Sequence, residues 1–335
     1  MGERRKNTAS VPKPKPLGLR DFHNKRNRIL IWHDKGGLGD VLMQRMLFED
    51  FQAACPEAEL IFACLPEYMD AARDHPYIKE VIDSRTVNLN EYCIHYNTCV
   101  SIADRYEHNN APFCLEHRSD IWAKYCGMEL ARHDMCFRLP PRSIETCRQR
   151  LRTLVGGTRT GPIALFAPIS KMAVKTLLPT QMAAIKEAVE ETQKEVSIVG
   201  LHNREVADLT RLGIPGIYQA TIKEWMTYIA AADYVIAVDT AAFHMAGGLK
   251  KPLVGIFTFA DGKAYGKHFD FVLVQKHRDN GDWDCGPCFK FMNCPKCTKS
   301  LQKPCLTELS KAELQAGVRA MFDRWPWGKN RISLL

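Results

Sequence analysis

No apolar run in this 335-residue chain approaches the roughly 18–20 residues that span a bilayer. The N-terminus has no apolar stretch of the kind an export signal needs; Met1 to Pro16 is basic and proline-rich instead. Residues 1–27 therefore read as a disordered basic tail, and a cytoplasmic location is expected. Surplus positive charge is scarce outside that tail, since residues 1–28 carry +7 of the net +8. The near-neutral body excludes a polycationic nucleic-acid platform, although the tail is suited to an anionic surface or an acidic partner. The full dinucleotide fingerprint Gly-x-Gly-x-x-Gly is missing as well. Hydrophobic content of 46% with 25% charged residues is that of a globular protein with a sizeable core. The length favours two domains over one.

The chain reads as two successive α/β sets. In the first, Arg28 to His33 is a buried-type strand that turns through Asp34-Lys35-Gly36-Gly37-Leu38-Gly39-Asp40 into a helix over Val41–Ala54. Ala58–Cys64 is a second strand, Tyr68–Asp74 a helix and Val81–Asp83 a third strand. Alternation is less clear from there to Leu139-Pro140-Pro141, and Thr146–Leu154 is a connecting helix. The second set has strands at Pro162–Ala167, Val196–Gly200, Val235–Val238 and Leu253–Phe257. Its helices are Thr180–Thr192, Glu205–Leu212, Ile222–Ala232 and Ala241–Leu249. Lys311 to Trp325 is amphipathic, with Leu314, Val318, Met321, Phe322 and Trp325 near one face. Such a pattern predicts two doubly wound domains facing a cleft. The expected division is 28–155, then 156–310 with an insert at 283–306, then a helix at 311–335 packing across the junction.

Two features carry chemistry. Asp40 sits at a helix start beside Gly36, Gly37 and Gly39, where backbone can approach a ligand closely. It reads either as a helix cap or as a functional carboxylate. The stretch Val238-Asp239-Thr240-Ala241 ends a strand and opens a helix whose N–H groups suit an anion. Of thirteen cysteines, eight are scattered from Cys55 to Cys147 and read as reduced, mostly core thiols. The other five, Cys285, Cys288, Cys294, Cys297 and Cys305, fall within 21 residues as two Cys-x-x-Cys knuckles and one outlier. That spacing suits tetrahedral thiolate binding of a structural zinc or iron ion. Knuckle symmetry makes Cys297 the fourth ligand.

The paired segments resemble glycosyltransferase family 9, the heptosyltransferase-type enzymes of the GT-B fold. Gly39-Asp40-Val41-Leu42 is similar to the family's turn after its first strand. Val238-Asp239-Thr240-Ala241-Ala242-Phe243-His244-Met245-Ala246-Gly247-Gly248-Leu249-Lys250-Lys251-Pro252 is similar to its second-domain motif. Cys55-Pro56-Glu57-Ala58-Glu59-Leu60 and His75-Pro76-Tyr77-Ile78-Lys79-Glu80-Val81-Ile82 look like intermediate segments in family order.

The resemblance implies an inverting transfer of a sugar from a nucleotide diphosphate, with ADP-heptose the leading donor, to a hydroxyl of a glycan or protein. Asp40 would be the general base. Asp239, Thr240 and Ala241 would meet the donor diphosphate, Ala241 standing where the family usually has glycine. Lys175 would neutralise donor phosphate, although the family's Lys-x-Trp-Pro spacing is changed and Lys171 competes for the role. Glu205 would hold the ribose, Gly39 would lie against the donor, and His244 would reach the phosphates or pack under its loop. For the metal, the family pattern favours Cys285, Cys288, Cys294 and Cys305. Two other functions stay open. The Lys35–Asp40 loop also resembles the donor loop of glycogen and starch synthases, and the cysteine-rich segment with the tail suits a non-catalytic binding module. The acceptor loops fall within residues 83–120, where His95, Arg105, His108, His117 and Arg118 are either contacts for an anionic acceptor or ordinary surface groups. A homo-oligomer is compatible with all of these readings.

Overall fold

The computed structural model describes residues 27–110, 114–157, 161–193, 195–218, 220–258, 260–276 and 304–327. The tail before residue 27 and four of the five clustered cysteines, Cys285, Cys288, Cys294 and Cys297, lie outside these ranges.

Two parallel sheets organise the chain. The first contains β1 (Arg28–Trp32), β2 (Glu59–Cys64), β3 (Glu80–Asp83) and β4 (Ile94–Asn97) in the order β3-β2-β1-β4. The second contains β5 (Ile163–Ala167), β6 (Ser197–Leu201), β7 (Gly216–Ile217), β8 (Tyr234–Val238), β9 (Leu253–Phe257) and β10 (Val272–Gln275). Its order is β10-β9-β8-β5-β6-β7. Counted from its own first strand, the second sheet runs 3-2-1-4-5-6, the doubly wound nucleotide-binding order, and the first sheet is its 3-2-1-4 part. Strands β5, β6, β8 and β9 are buried along their whole length. This is why each reads as a continuous apolar run rather than an alternating one.

The helices are α1 (Leu38–Ala54), α2 (Val100–Asn110), α3 (Arg118–Tyr125), α4 (Pro141–Leu154), α5 (Pro179–Thr192), α6 (Ala207–Arg211) and α7 (Ile222–Ala231). They continue with α8 (Ala241–Gly248), α9 (Gly262–Tyr265), α10 (Pro304–Thr307) and α11 (Lys311–Arg324). The expected helix over Tyr68–Asp74 is a single 3-10 stretch at Pro66–Ala71. The cysteines outside the cluster behave as core residues: Cys64, Cys99, Cys114, Cys126 and Cys147 are buried free thiols, and Cys55, Cys93 and Cys136 are half-buried.

The last helix departs from expectation. Rather than crossing the junction, α11 packs on α5 and on β9 and β10. Leu314, Val318, Met321 and Phe322 join the second sheet's core, where Tyr234 and Phe322 meet edge-on at 4.9 Å. Between the halves, α4 packs on α7 and pairs Arg148 with Asp233 at 3.3 Å, and α1 packs on α8.

Polar staples, not periodicity, hold the stretch between α3 and α4. Arg45 is fully buried on α1. It pairs with Asp74 at 2.6 Å, donates to the carbonyls of Ala71, Met135 and Cys136, and lies 4.2 Å over the Phe137 ring. Asp50 accepts from the backbone N–H of Ala131 and of Arg132. These bonds satisfy groups that would otherwise be costly to bury.

Candidate active site

In an open parallel sheet, ligands bind beyond the carboxyl ends of the strands where the strand order reverses. That point lies between β1 and β4 in the first sheet and between β5 and β8 in the second. The loops leaving β1, β5 and β8 carry Gly36–Asp40, Ser170–Lys175 and Asp239–Ala241. All three line one cavity of about 800 Å³ between the halves. A second cavity of about 920 Å³ lies by the β6–β7 edge, but its charged lining residues Lys186 and Glu190 are paired with each other. Convergent polar groups, not volume, single out the first.

The β1 exit shows why its glycines are needed. Gly36 has φ +120°, and a Cβ there would stand 2.9 Å from both Asp40 Oδ2 and His33 Nε2. Helix α1 begins at Leu38, so Asp40 is its third residue and not its cap. The Gly37 N–H donates to Asp40 Oδ2 at 2.8 Å, and Arg118 donates to Asp40 Oδ1 at 2.6 Å. The two readings of Asp40 thus coexist, since one oxygen ties down the helix start and the other faces a buried guanidinium. Burial alone would raise the Asp40 pKa, but the charge of Arg118, then His33 and the Gly37 N–H, more than offsets it. The carboxyl is held below its ordinary range.

Arg118 is the hub of this side. It is 3% exposed, the first residue of α3, and it binds three carboxylates: Asp40, Asp104 at 2.6 Å and Glu107 at 2.8 Å through both Nε and Nη2. Desolvation works against its charge, yet Tyr265 and the carboxylates raise its pKa well above the ordinary arginine value. Asp104 goes the other way from Asp40, because burial and its acidic neighbours outweigh Arg118 and raise its pKa. Tyr265, from the second half, donates to Glu107 at 3.3 Å and lies 5.4 Å under the guanidinium.

On the other wall, α8 starts at Ala241 with Thr240 preceding it in an extended conformation. First-turn N–H groups of a helix have no intrahelical acceptor, and Thr240 and Ala241 at this end line the cavity. Ala241 is helical and is not among the residues of positive φ, so alanine costs the backbone nothing here. The Thr240 hydroxyl donates to Val238 O at 3.2 Å. Lys175 Nζ lies 2.7 Å from Asp239 Oδ2. Lys171 also lines the cavity and reaches across it to Tyr68 OH at 3.1 Å.

The two walls touch where Gly39 meets His244. A Cβ on Gly39 would stand 3.1 Å from His244 Cδ2. His244 is 2% exposed, and burial pushes its pKa down to about 4 despite the opposing pull of Asp239 and Asp40. It is therefore a neutral imidazole at pH 7. Asp40, Gly39, Lys175, Asp239, Thr240, Ala241 and His244 are thus all brought to one cavity.

Glu205 is not. It is exposed and its carboxylate contacts Thr210 at 3.5 Å, while His202, Asn203 and Arg204 of the same loop line the cavity. The residues that the sequence reading passed over are Glu107, Tyr265 and Trp225. Arg118 is expected from the sequence to be either an acceptor contact or a surface group, and the structure places it as a buried partner of Asp40. The ring Nε1 of Trp225 is buried, and the residue joins Ile169, Met172 and Ile222 in an apolar part of the lining. An Arg118 preceded by two acidic residues on α2 had one usable signal, the Asp104–Glu107 pair at helical spacing.

The sequence model of glycosyltransferase family 9 (heptosyltransferase) matches residues 105–290, more than half of the chain. The chain belongs to glycosyltransferase family 9. It is a heptosyltransferase-like glycosyltransferase, and among solved structures it is similar to several of that family. Against the family 9 glycosyl transferase of Veillonella parvula DSM 2008 the identity is 13% and the TM-score 0.64, over 90% of this chain and 99% of that one. Against TibC, a dodecameric iron-containing glycosyltransferase of enterotoxigenic E. coli H10407, the values are 14% and 0.66, over 90% and 77%. Against the E. coli heptosyltransferase WaaC, solved with ADP-2-deoxy-2-fluoro heptose, they are 14% and 0.51, over 73% and 92%. At these identities the likeness speaks for the two-domain GT-B fold. No curated sequence matches the chain. Among the described residues no helix is long and apolar enough to cross a membrane.

Proposed function

We propose that the cavity binds a nucleotide-diphosphate sugar, ADP-heptose first among candidates, and transfers the sugar with inversion to a hydroxyl of a glycan or protein acceptor. The observation that carries this reading is the meeting of a buried, ionised Asp40 with the α8 N-terminus across the Gly39–His244 contact. Residues 28–155 supply the acceptor side and residues 156–310 the donor side. The donor diphosphate sits at the Ala241 end of α8, where the peptide N–H groups offset charge growing on the leaving nucleotide. Lys175 turns from Asp239 toward the phosphates, and the neutral His244 edge packs beside them. Ile169, Met172, Ile222 and Trp225 take the base, with Arg204 and Asn203 replacing Glu205 at the ribose.

On the acceptor side, Asp40 accepts the hydroxyl proton as the oxygen attacks the anomeric carbon and the nucleotide diphosphate departs from the opposite face. One carboxylate suffices for a single displacement. Arg118 positions that carboxylate, and Asp104 and Glu107 hold Arg118. The ligands seen with relatives support the donor: WaaC is solved with an ADP-heptose analogue and TibC with ADP-D-beta-D-heptose. A structural zinc or iron at Cys285, Cys288, Cys294 and either Cys297 or Cys305 is proposed on spacing, and the iron content of TibC supports it. A homo-oligomer is proposed on the same footing.

The test is calorimetric titration and nucleotide release with ADP-, GDP-, UDP- and dTDP-sugars. The reading requires binding of at least one of them, with release dependent on the donor. Absence of binding across the panel refutes it.

A further inference from the structure

We propose that Asp120, His133 and His268 form a binding site for a first-row divalent metal ion, Zn²⁺ as its representative, that ties the two domains together beside the cleft. Asp120 lies in the first turn of α3, His133 in the segment between α3 and α4, and His268 just beyond α9 in the second domain. His133 Nε2 stands 3.0 Å from Asp120 Oδ1, and His268 Nε2 stands 3.0 Å from Oδ2 and 3.1 Å from Oδ1. The two imidazoles stack, with ring centroids 3.5 Å apart and planes 15° from parallel. One ligating atom from each of the three residues lies within 4.8 Å of the others.

Two aspects of this cluster fit a metal. First, both Nε2 atoms converge on one carboxylate. A divalent ion takes both nitrogens as neutral ligands together with the carboxylate. Second, the spacing is close to that of a coordination sphere. Bonds of about 2.0–2.2 Å in a tetrahedral site put neighbouring ligand atoms about 3.3 Å apart. The nitrogen–oxygen distances here need to widen by a few tenths of an ångström, with the stacked rings rotating to aim their lone pairs.

Two imidazoles and one carboxylate suit zinc or a neighbouring first-row ion and not Mg²⁺ or Ca²⁺, which prefer all-oxygen shells. Three protein ligands leave the fourth position to water. The side chains of Asp120 and His268 are each 12% exposed and that of His133 is 28% exposed, so an ion has a path in. Lys267 shares Asp120 at 2.9 Å, but it also holds Glu116 at 3.1 Å and keeps that partner when Asp120 turns to the ion. Nearby, His117 is 1% exposed with its ring 5.0 Å from that of His268 and its Nε2 lacking a hydrogen-bond partner.

The position gives the site a role. Asp120 is two residues from Arg118, which holds Asp40, and His268 is three from Tyr265, which holds Glu107. An ion joining them fixes the closed relation of the halves on which the Asp40 side of the cavity depends. It shares no residue with the cysteine segment and does not need the proposed transfer reaction to be correct.

The test uses the full chain. Zinc equivalents per chain are measured after dialysis for the parent protein, His133→Gln, His268→Gln and the double variant Cys285→Ser/Cys288→Ser, with far-UV circular dichroism to confirm folding. Each histidine variant should lose one equivalent. The cysteine variant should still bind Co²⁺ with visible d–d bands and no thiolate charge-transfer band. Unchanged zinc content in both folded histidine variants, or no d–d bands in the cysteine variant, overturns the proposal. The half-exposed His133 keeps the test sound if His268→Gln fails to fold.

Discussion

Replacing Asp40 by asparagine keeps the shape of the side chain and removes its charge and basicity. If Asp40 takes the acceptor proton, the turnover number should fall by about 10²–10⁴-fold, or about 3–5 kcal/mol of barrier. The structure separates this from a folding defect. Asp40 and Arg118 are both buried, and orphaning a buried charge costs about 3–5 kcal/mol. Arg118, however, keeps Glu107 through two bonds and Asp104 through a third. The cost is then nearer that of one lost charge-assisted hydrogen bond, about 1.5–3 kcal/mol. The asparagine Oδ1 can still accept from the Gly37 N–H that caps α1. Thermal unfolding should therefore shift by several degrees at most, and donor affinity should hold within about threefold, while nucleotide release with acceptor collapses. Because Asp40 is held below the ordinary carboxylate range, kcat/KM should lose activity from this group only on acidification beyond that range. Asp40→Asn turning over within tenfold of the parent, folded and saturated with donor, would refute the base assignment.

Further substitutions probe the rest of the site. Lys175→Met should weaken binding of ADP alone by about 10–100-fold, the worth of a charge-assisted bond, with partial recovery in Lys175→Arg; calorimetry reads both, and unchanged affinity removes Lys175 from the phosphates. Arg118→Met leaves three carboxylates without their common cation and should destabilise the fold by about 3–5 kcal/mol in urea unfolding, and Arg118→Lys should rescue little because it cannot bind Glu107 through two nitrogens. Gly39→Val places a side chain against His244 and should lower kcat/KM with little change in unfolding temperature, since the contact is between domains and not within a core. Burial pushes the His75 pKa down to about 2. The folded form thus holds that proton less tightly than the unfolded chain, and its contribution is complete above pH about 6.5 and drains as pH falls toward 2. In urea titrations at pH 4–6, His75→Phe should remove about 1.4 kcal/mol per pH unit from the slope of stability against pH.

The two sheets were legible because parallel strands buried on both faces must be written as unbroken apolar runs. Ile29–Ile31 and Val235–Val238 are examples, and their turns expose Asp40 and Asp239 by register alone. The stretch from residue 94 to 140 was not legible for an equally physical reason. Its position is set by Arg45, Asp50 and Arg118, charged residues that look like surface groups in a sequence and become internal fasteners only when their partners, distant by 11 to 91 residues, are known. Pairing partners leave no local period. The final helix was misplaced because an amphipathic face says that something covers it but not what, and Tyr234 and the second sheet supplied the cover.

The same distinction bears on catalysis. A carboxylate at a glycine-rich helix start is common, and by itself Asp40 would only brace the start of α1 through the Gly37 N–H. What changes its chemistry is Arg118, brought in by a helix that the sequence reading did not find, and held there by two further acids. Their net effect is unequal: Asp40 is driven toward permanent ionisation while Asp104, beside the same guanidinium, is driven toward the neutral form. Carboxylates pushed apart in this way mark divided labour. Asp104→Asn therefore discriminates between two roles for the hub. If Asp104 serves only to hold Arg118, its loss should raise KM or lower stability slightly and leave the pH profile unmoved. If it passes a proton toward Asp40, the profile itself should shift, and kinetics of the folded variant between pH 4 and 8 will show which.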